Sequence, residues 1–356
     1  MPKVSVIIPS YNHARYVSQA VNSVLEQSEP DLELIVVDDG STDESLNILY
    51  SFDDHRMCVI EQANQGTHAA INAALERASG RFLAILNSDD VYHCQRLEKL
   101  VSVLEHDPQV SLAGSHIEVI DANGKTLGLK RGYQSFEPWP LEAPERSFRA
   151  GEDLRAALLT ENFWATTSNC VFARGWYETV GGFRPLRYAH DWDFALRMAE
   201  KGRLFLHPEA LLKYRVHERN TIRENQAAMI LEICWCLAVN IPHHIRDPWY
   251  GKVSREQRTD QQLHTIYTFG FERVLSVMLL QGLAENQRLA EELLCTDDPR
   301  RRRYLEYIQS RLTADDLSNG AQAGEASRRT QGQRVERSFH LARVWQVVRN
   351  ALTRPR

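Results

Sequence analysis

No C-x-x-C pair occurs among the six cysteines of this 356-residue chain, which stand at 58, 94, 170, 234, 236 and 295. That spacing offers no zinc ribbon and no dithiol redox site. Several thiols lie among apolar neighbours, such as Ile233, Trp235 and Leu237 around Cys234 and Cys236, so they read as buried, reduced side chains of a cytosolic protein. No apolar run reaches the roughly 20 residues that a membrane-spanning helix needs. The longest, Ala227 to Ile241, is interrupted by Glu232 and Asn240 and reads as a packed helix. The amino terminus enters Val4-Ser5-Val6-Ile7-Ile8 directly, too short a stretch for a signal peptide and shaped like a buried strand. A cytoplasmic location is the expectation. An excess of basic charge is also missing: 42 basic against 47 acidic residues leave a formal net charge of −5, with no general attraction to nucleic acid. Neither a G-x-G-x-x-G nor a Walker loop is present, which removes the common dinucleotide and P-loop cradles.

What is present is an ordinary globular composition, 43% hydrophobic and 25% charged, which excludes a disordered or collagen-like chain. Single cores stop growing near about 250–300 residues, so one catalytic-sized domain with an appendage is expected. Along the first hundred residues, β-branched runs (Val4–Ile8, Leu32–Val37, Met57–Ile60, Phe82–Leu86) alternate with segments of helical period (Val17 to Leu25, Ala69–Ala78). This is the pattern of an α/β fold with a mostly parallel sheet sandwiched by helices. Ligands of such sheets lie at the carboxyl ends of the strands. Polar clusters stand there: Ser10-Tyr11-Asn12, Asp38-Asp39-Gly40-Ser41, Asn64-Gln65-Gly66 and Asn87-Ser88-Asp89-Asp90.

Two of these clusters carry adjacent carboxylates. Like charges repel, so retaining both suggests that at least one binds a donor or a cation. Asp39 suits a nucleobase imide or a ribose hydroxyl, although Asp38 as a turn former and Asp43 as a helix cap explain part of the same string. The hard oxygens of Asn87-Ser88-Asp89-Asp90 suit Mg²⁺ or Mn²⁺ held with a diphosphate, although Ser-Asp-Asp also caps helices.

In order and spacing over residues 1–220, the chain resembles the family 2 glycosyltransferases of GT-A fold. The match lies in Val4 to Asn12, Val36 to Asp43, Asn64-Gln65-Gly66, Leu86 to Asp90, His190-Asp191-Trp192-Asp193 with Leu196-Arg197, and Tyr214-Arg215-Val216-His217. The resemblance implies an inverting transfer from a nucleotide-sugar, by family habit a UDP-sugar, to a hydroxyl of a glycan or lipid-linked glycan in surface polysaccharide assembly. It further implies that Pro9, Tyr11 and Asp39 surround the nucleoside, with Asn64, Gly66, Asn87 and Ser88 in the donor pocket. Asp89 and His217 would hold Mn²⁺ or Mg²⁺, and Asp191 would be the catalytic base. Asn87 replaces the first aspartate of the usual D-x-D motif, and His190 stands where an acidic residue often precedes the base. These departures keep open a catalytically silent nucleotide-sugar-binding scaffold. A phospho-receiver domain or a nucleotidyltransferase fits less well, because the paired aspartates follow the second strand and no glycine-rich loop follows the first. Nor does the chain carry the Q-x-x-R-W motif of processive synthases.

The expected organisation is a nucleotide-sugar-binding half over residues 1–110, an acceptor half over 111–220, a helical extension over 221–315, a linker over 316–334 and a final helix over 335–356. That last segment has five arginines against Glu336, with Phe339, Ala342, Trp345, Val348 and Leu352 at helical spacing. Such a basic amphipathic helix suits an anionic membrane surface, or docking on protein. Trp139, Trp164, Trp176 and Trp192 are candidate sugar platforms or core residues.

Overall fold

In the computed structural model, residues 1–131, 154–155, 158, 162–218, 220–221, 224–246 and 277–321 are described. Residues 322–334 of the expected linker, the basic terminal segment and Trp139 lie outside them, while residues 316–321, expected as linker, are helical. The chain divides into two compact units, Met1–Leu158 with Asn162–Thr221, and Leu159–Glu161 with Ile222–Arg356.

The first unit is built on a nine-stranded sheet: β1 (Val4–Ser10), β2 (Leu32–Asp38), β3 (Met57–Glu61), β4 (Phe82–Ile85), β5 (Val91–Tyr92), β6 (Val110–Ile120), β7 (Thr126–Lys130), β8 (Val171–Ala173) and β9 (Arg203–Arg215). Their order is β3-β2-β1-β4-β8-β6-β9-β5, with β7 against β6. The pairs β3-β2, β2-β1, β1-β4 and β6-β9 are parallel, and β8 joins β4 and β6 in antiparallel sense. The parallel strands β1, β2 and β4 are buried on both faces because helices cover both. Val4, Val6 and Ile8 with Leu32, Leu34 and Val36 pack against α1 (Val17–Leu25) and α4 (Arg96–His106). A second short helix, α2 (Ser45–Tyr50), follows β2, and α3 (Thr67–Arg77) lies against β1 and β2. Each fully buried Val, Leu or Ile contributes about 1.5–3 kcal/mol relative to exposure, so this core holds the polar strand ends in place.

Later in the unit come α5 (Arg174–Val180) and α6 (His190–Lys201). Trp164 and Trp192 are both buried, and the Trp192 indole donates to the Leu158 carbonyl at 2.7 Å. They serve as core. Of the cysteines, 170, 234 and 236 are buried, while 58, 94 and 295 are exposed.

The second unit contains α7 (Gln226–Arg246), α8 (Gln287–Leu294) and α9 (Pro299–Ala321). The Ala227 to Ile241 run is thus a helix, and Trp235 within it donates to the Ala290 carbonyl at 2.9 Å. Among the described residues, no helix is long and apolar enough to cross a membrane.

Candidate active site

The carboxyl ends of β1, β2 and β4 lie side by side, as parallel pairing through Ser10↔Asp38 and Ile7↔Ile85 requires. Asn12, just past β1, takes a left-handed backbone with φ 54°, a conformation asparagine tolerates better than most residues. Its side-chain oxygen accepts from the Thr42 and Asp43 N–H groups, and its own N–H donates to Ser41 Oγ. The loops after β1 and β2 are thereby laced together, and Tyr11 beside them is 45% exposed. Pro9 is buried within β1. Asp38 does form a turn, accepting from the Ser41 N–H at 2.8 Å. Asp43 does not occupy the cap position of α2, which falls to Glu44; it accepts instead from Ser45 and from the Ala14 N–H.

Asp39 is buried and faces the opposite way from Asp38. Its Oδ1 accepts from Gln62 Nε2 (2.7 Å) and the Gln65 N–H (2.9 Å), and its Oδ2 accepts from the Gly66 N–H (2.8 Å). Gly66, at φ 91°, caps α3 in a conformation a side chain would strain. One carboxylate therefore shapes the whole 62–66 loop. Asn64, on that loop, is exposed.

The segment after β4 is held more tightly still. Asn87 has both ends of its carboxamide engaged, by Thr167 Oγ1 (2.8 Å) and Thr166 Oγ1 (3.0 Å). Ser88 Oγ and His13 Nδ1 share a 2.7 Å hydrogen bond, and His217 Nε2 lies 3.0 Å from Asp89 Oδ2. His13, Asp89 and His217 each offer a ligand atom within 4.8 Å of the others. Two imidazoles and a carboxylate are a donor set that fits a divalent transition ion better than Mg²⁺, which prefers oxygen alone. Mn²⁺ is therefore the better match of the two expected ions.

Asp89 and Asp90 are driven apart. Burial opposes ionisation of Asp89, yet the His217 hydrogen bond and the neighbouring His13 hold it below the ordinary carboxylate range. Burial and the Asp89 charge push Asp90 well above that range. Asp90 accepts from Ser168 Oγ (2.5 Å) and the Arg215 N–H (2.9 Å) and so anchors the loop that carries Asp89. Buried Arg215 donates through Nε to the Asp89 carbonyl (2.8 Å) and through Nη2 to Gln19 Oε1 (2.7 Å), with its guanidinium 4.8 Å from the centre of the Tyr16 ring.

Asp191 sits in the first turn of α6, where the helix dipole favours an acidic residue. The cap position belongs to Ala189. Asp191 Oδ1 accepts from the Trp192 N–H (2.7 Å) and Oδ2 from Asn162 Nδ2 (3.1 Å), and the residue is 6% exposed. Tyr214 links the two acidic centres: burial first, then Asp90, Asp89 and Asp191 together, raise its phenol. Sequence reasoning missed His13, Arg215, Asn162 and the 166–168 segment. Arg215 was signalled by its place beside His217 in a shared motif, whereas a lone histidine after a strand has no pattern to mark it.

The sequence signature described as glycosyl transferase family 2 matches residues 5–181. An uncharacterized glycosyltransferase of Nostoc sp. is 34% identical over 226 residues, covering 61% of this chain and 66% of that one. Chondroitin synthase of Escherichia coli is 31% identical over 224 residues, 62% of this chain and 30% of that protein. The chain spans about two thirds of the length of the first curated relatives it matches. Among solved structures, the mannosyltransferase PcManGT of Pyrobaculum calidifontis, in complex with GDP-Man and Mn²⁺, aligns at a TM-score of 0.51 and 20% identity over 88% of each chain, which shows the fold. Signature, relatives and fold converge on the stretch that carries the acidic strand ends, and the chain belongs to the family 2 glycosyltransferases.

Proposed function

We propose that this chain transfers a sugar, with inversion, from a nucleoside-diphosphate sugar to a hydroxyl of a glycan or lipid-linked glycan, with UDP as the expected carrier. The reading places the donor on residues 1–110 and the acceptor on 111–220. Polysaccharide assembly is supported by the likeness to chondroitin synthase. The observation that carries the proposal is the presence in one unit of two centres, the His13/Asp89/His217 cluster and buried Asp191, whose carboxylate is oriented by Asn162 and the Trp192 N–H.

Pro9, Tyr11 and Asp39 bind the nucleoside in this reading, Asp39 both directly and by fixing the 62–66 loop. Asn64, Gly66, Asn87 and Ser88 complete the donor pocket, Asn87 by anchoring the wall at Thr166 and Thr167. Asp89, His217 and His13 hold Mn²⁺, which when bound supplies charge stabilisation for the departing diphosphate. Asp191 takes the proton from the acceptor hydroxyl at a carboxylate oxygen. The hydroxyl oxygen forms its bond to the anomeric carbon while the bond from that carbon to the diphosphate breaks on the opposite face. One displacement inverts the centre. Asn162 and the Trp192 N–H fix the carboxylate's orientation, so little reorganisation precedes the transfer.

The test is a calorimetric titration of UDP- and GDP-sugars with Mn²⁺, Mg²⁺ or chelator. Donor binding is expected to be tighter with Mn²⁺ than with Mg²⁺, and Asp89→Ala should remove at least about tenfold of the Mn²⁺-dependent affinity, the usual scale for a lost charged contact. Equal binding in chelator and in Mn²⁺ would exclude the metal role.

The same titration has a defined pH response. Protons compete with a metal ion for imidazole ligands, so Mn²⁺ affinity is expected to fall as the pH is lowered from about 8 to about 5.5. Asp89 does not contribute in that window, because its partners hold it ionised below the ordinary carboxylate range. Mn²⁺ affinity unchanged between about pH 8 and 5.5 would contradict imidazole ligation.

A further inference from the structure

The donor-side helix α3 is latched to the loop that leads into the helix carrying Asp191. Asn72 on α3 donates to the Phe183 carbonyl (2.8 Å) and accepts from the Phe183 N–H (2.8 Å). The approach is close enough that a Cβ on Gly182 would lie 2.6 Å from Asn72 Oδ1 and would have to push the Asn72 carboxamide off its bonds to Phe183. The Phe183 ring in turn stands edge-on to His190, their centres 6.4 Å apart. His68 lies one turn before Asn72 on the same face of α3, with its ring folded over Gly66. Two histidines, one from each helix start, are thereby brought to the part of the crevice between Asp39 and Asp191.

Their state is informative. His190 Nδ1 is buried and has no hydrogen-bond partner among the described residues. A buried polar nitrogen left unpaired is costly, and in a binding crevice the missing partner is a ligand atom. Burial, then nearby His190, lowers the His68 pKa, against the pull of Asp39, which favours an uncharged ring. An uncharged imidazole can donate one hydrogen bond and accept another, the requirement of a hydroxyl rather than of a phosphate. In the nucleotide-sugar reading, Asp39 marks the nucleoside end and Asp191 the reacting end, so the group between them is the transferred sugar.

We propose that His68 and His190 form an imidazole pair that grips hydroxyls of the donor's sugar ring, His190 through Nδ1, and so helps to select the sugar transferred. The inference rests on the donor reading above.

The experiment compares nucleotide with nucleotide-sugar on the full chain, by calorimetry with MnCl₂, using UDP against UDP-glucose and GDP against GDP-mannose. His190→Phe keeps the ring volume against Phe183 and removes both nitrogens. It is expected to weaken the nucleotide-sugar by about 5–30-fold, the loss of one or two hydrogen bonds, while the free nucleotide changes less than about twofold. His190→Asn, whose amide nitrogen can take the place of Nδ1, should recover most of the loss, and His68→Phe should show the same selective pattern. An equal loss for nucleotide and nucleotide-sugar, or no loss for either, would overturn the pair's role. A wild-type chain that binds UDP but gains nothing from any sugar would overturn it too, and one that binds neither would overturn the donor reading itself.

Discussion

Replacing Asp191 by Asn is expected to lower sugar transfer by about 10²–10⁴-fold, the usual contribution of a positioned general base. Nucleotide affinity should stay close to that of the wild type. The two effects separate because, among the described residues, Asp191 makes its hydrogen bonds with the Trp192 N–H and Asn162 and makes none with the 62–66 loop or the His13/Asp89/His217 cluster. An amide oxygen can keep the first of these contacts, and Asn162 can turn its own carbonyl oxygen to accept from the new NH₂, so the helix start survives while the capacity to take a proton is lost. Single-turnover transfer of a radiolabelled sugar measures the first quantity, and UDP titration the second. Wild-type transfer rates in the variant would remove Asp191 from the chemistry. A matched loss of UDP binding would make it a structural residue instead.

The largest effect on stability is expected at Arg215. Its guanidinium is almost fully buried and meets the Asp89 carbonyl, Gln19 and the carbonyls of Asp121 and Ala122. Arg215→Met fills much of the same volume but leaves those acceptors without donors and Asp90 without a nearby cation. Breaking a buried charged network by removing one member costs about 3–5 kcal/mol. Urea unfolding of the two proteins measures it, with an unchanged slope indicating that the folded state is otherwise alike. Because the same guanidinium holds the Asp89 carbonyl, Mn²⁺ affinity should fall even under conditions where the variant is fully folded. A loss below about 1 kcal/mol would mean that solvent or a neighbour satisfies those carbonyls, and that the loop does not depend on Arg215.

Much of this architecture was legible from the amino-acid sequence because β1, β2 and β4 are buried on both faces. Val4–Ile8, Leu32–Val37 and Phe82–Leu86 are apolar runs bounded by polar turns, and no other element type suits runs so short. The strand β9 was harder. It extends from Arg203, yet only Leu211 onward reads as a strand, since residues 203 to 210 are largely half-exposed or exposed and carry no alternation. The two-residue β5 and the edge strand β7, with Leu127 and Leu129 exposed, lack any burial pattern to detect. At the site, single residues fared according to how local their partners are. Asp38 bonds three residues away, as turn chemistry predicts. Asn87 bonds to Thr166 and Thr167, about 80 residues on, a pairing that no local spacing encodes. His13 joins Asp89 and His217 only because β1, β4 and β9 end near one another in space.

That cluster also bears on how the chain comes to be finished during synthesis. Its three members come from the first strand–helix loop, the middle of the unit and the residue two beyond its last strand. A nascent chain that has released β1 to β4 can bury most of its parallel core, since those pairings are already available, but it still lacks one imidazole until β9 and His217 have emerged. In the proposed metal-binding reading, ion capture is thus a late event that ties the newest part of the unit to the oldest. A metal bound only by the completed arrangement shifts the balance toward it by mass action. Termination after β4 but before His217 would leave a chain with the β1 to β4 strands in place and the donor set of that ion incomplete.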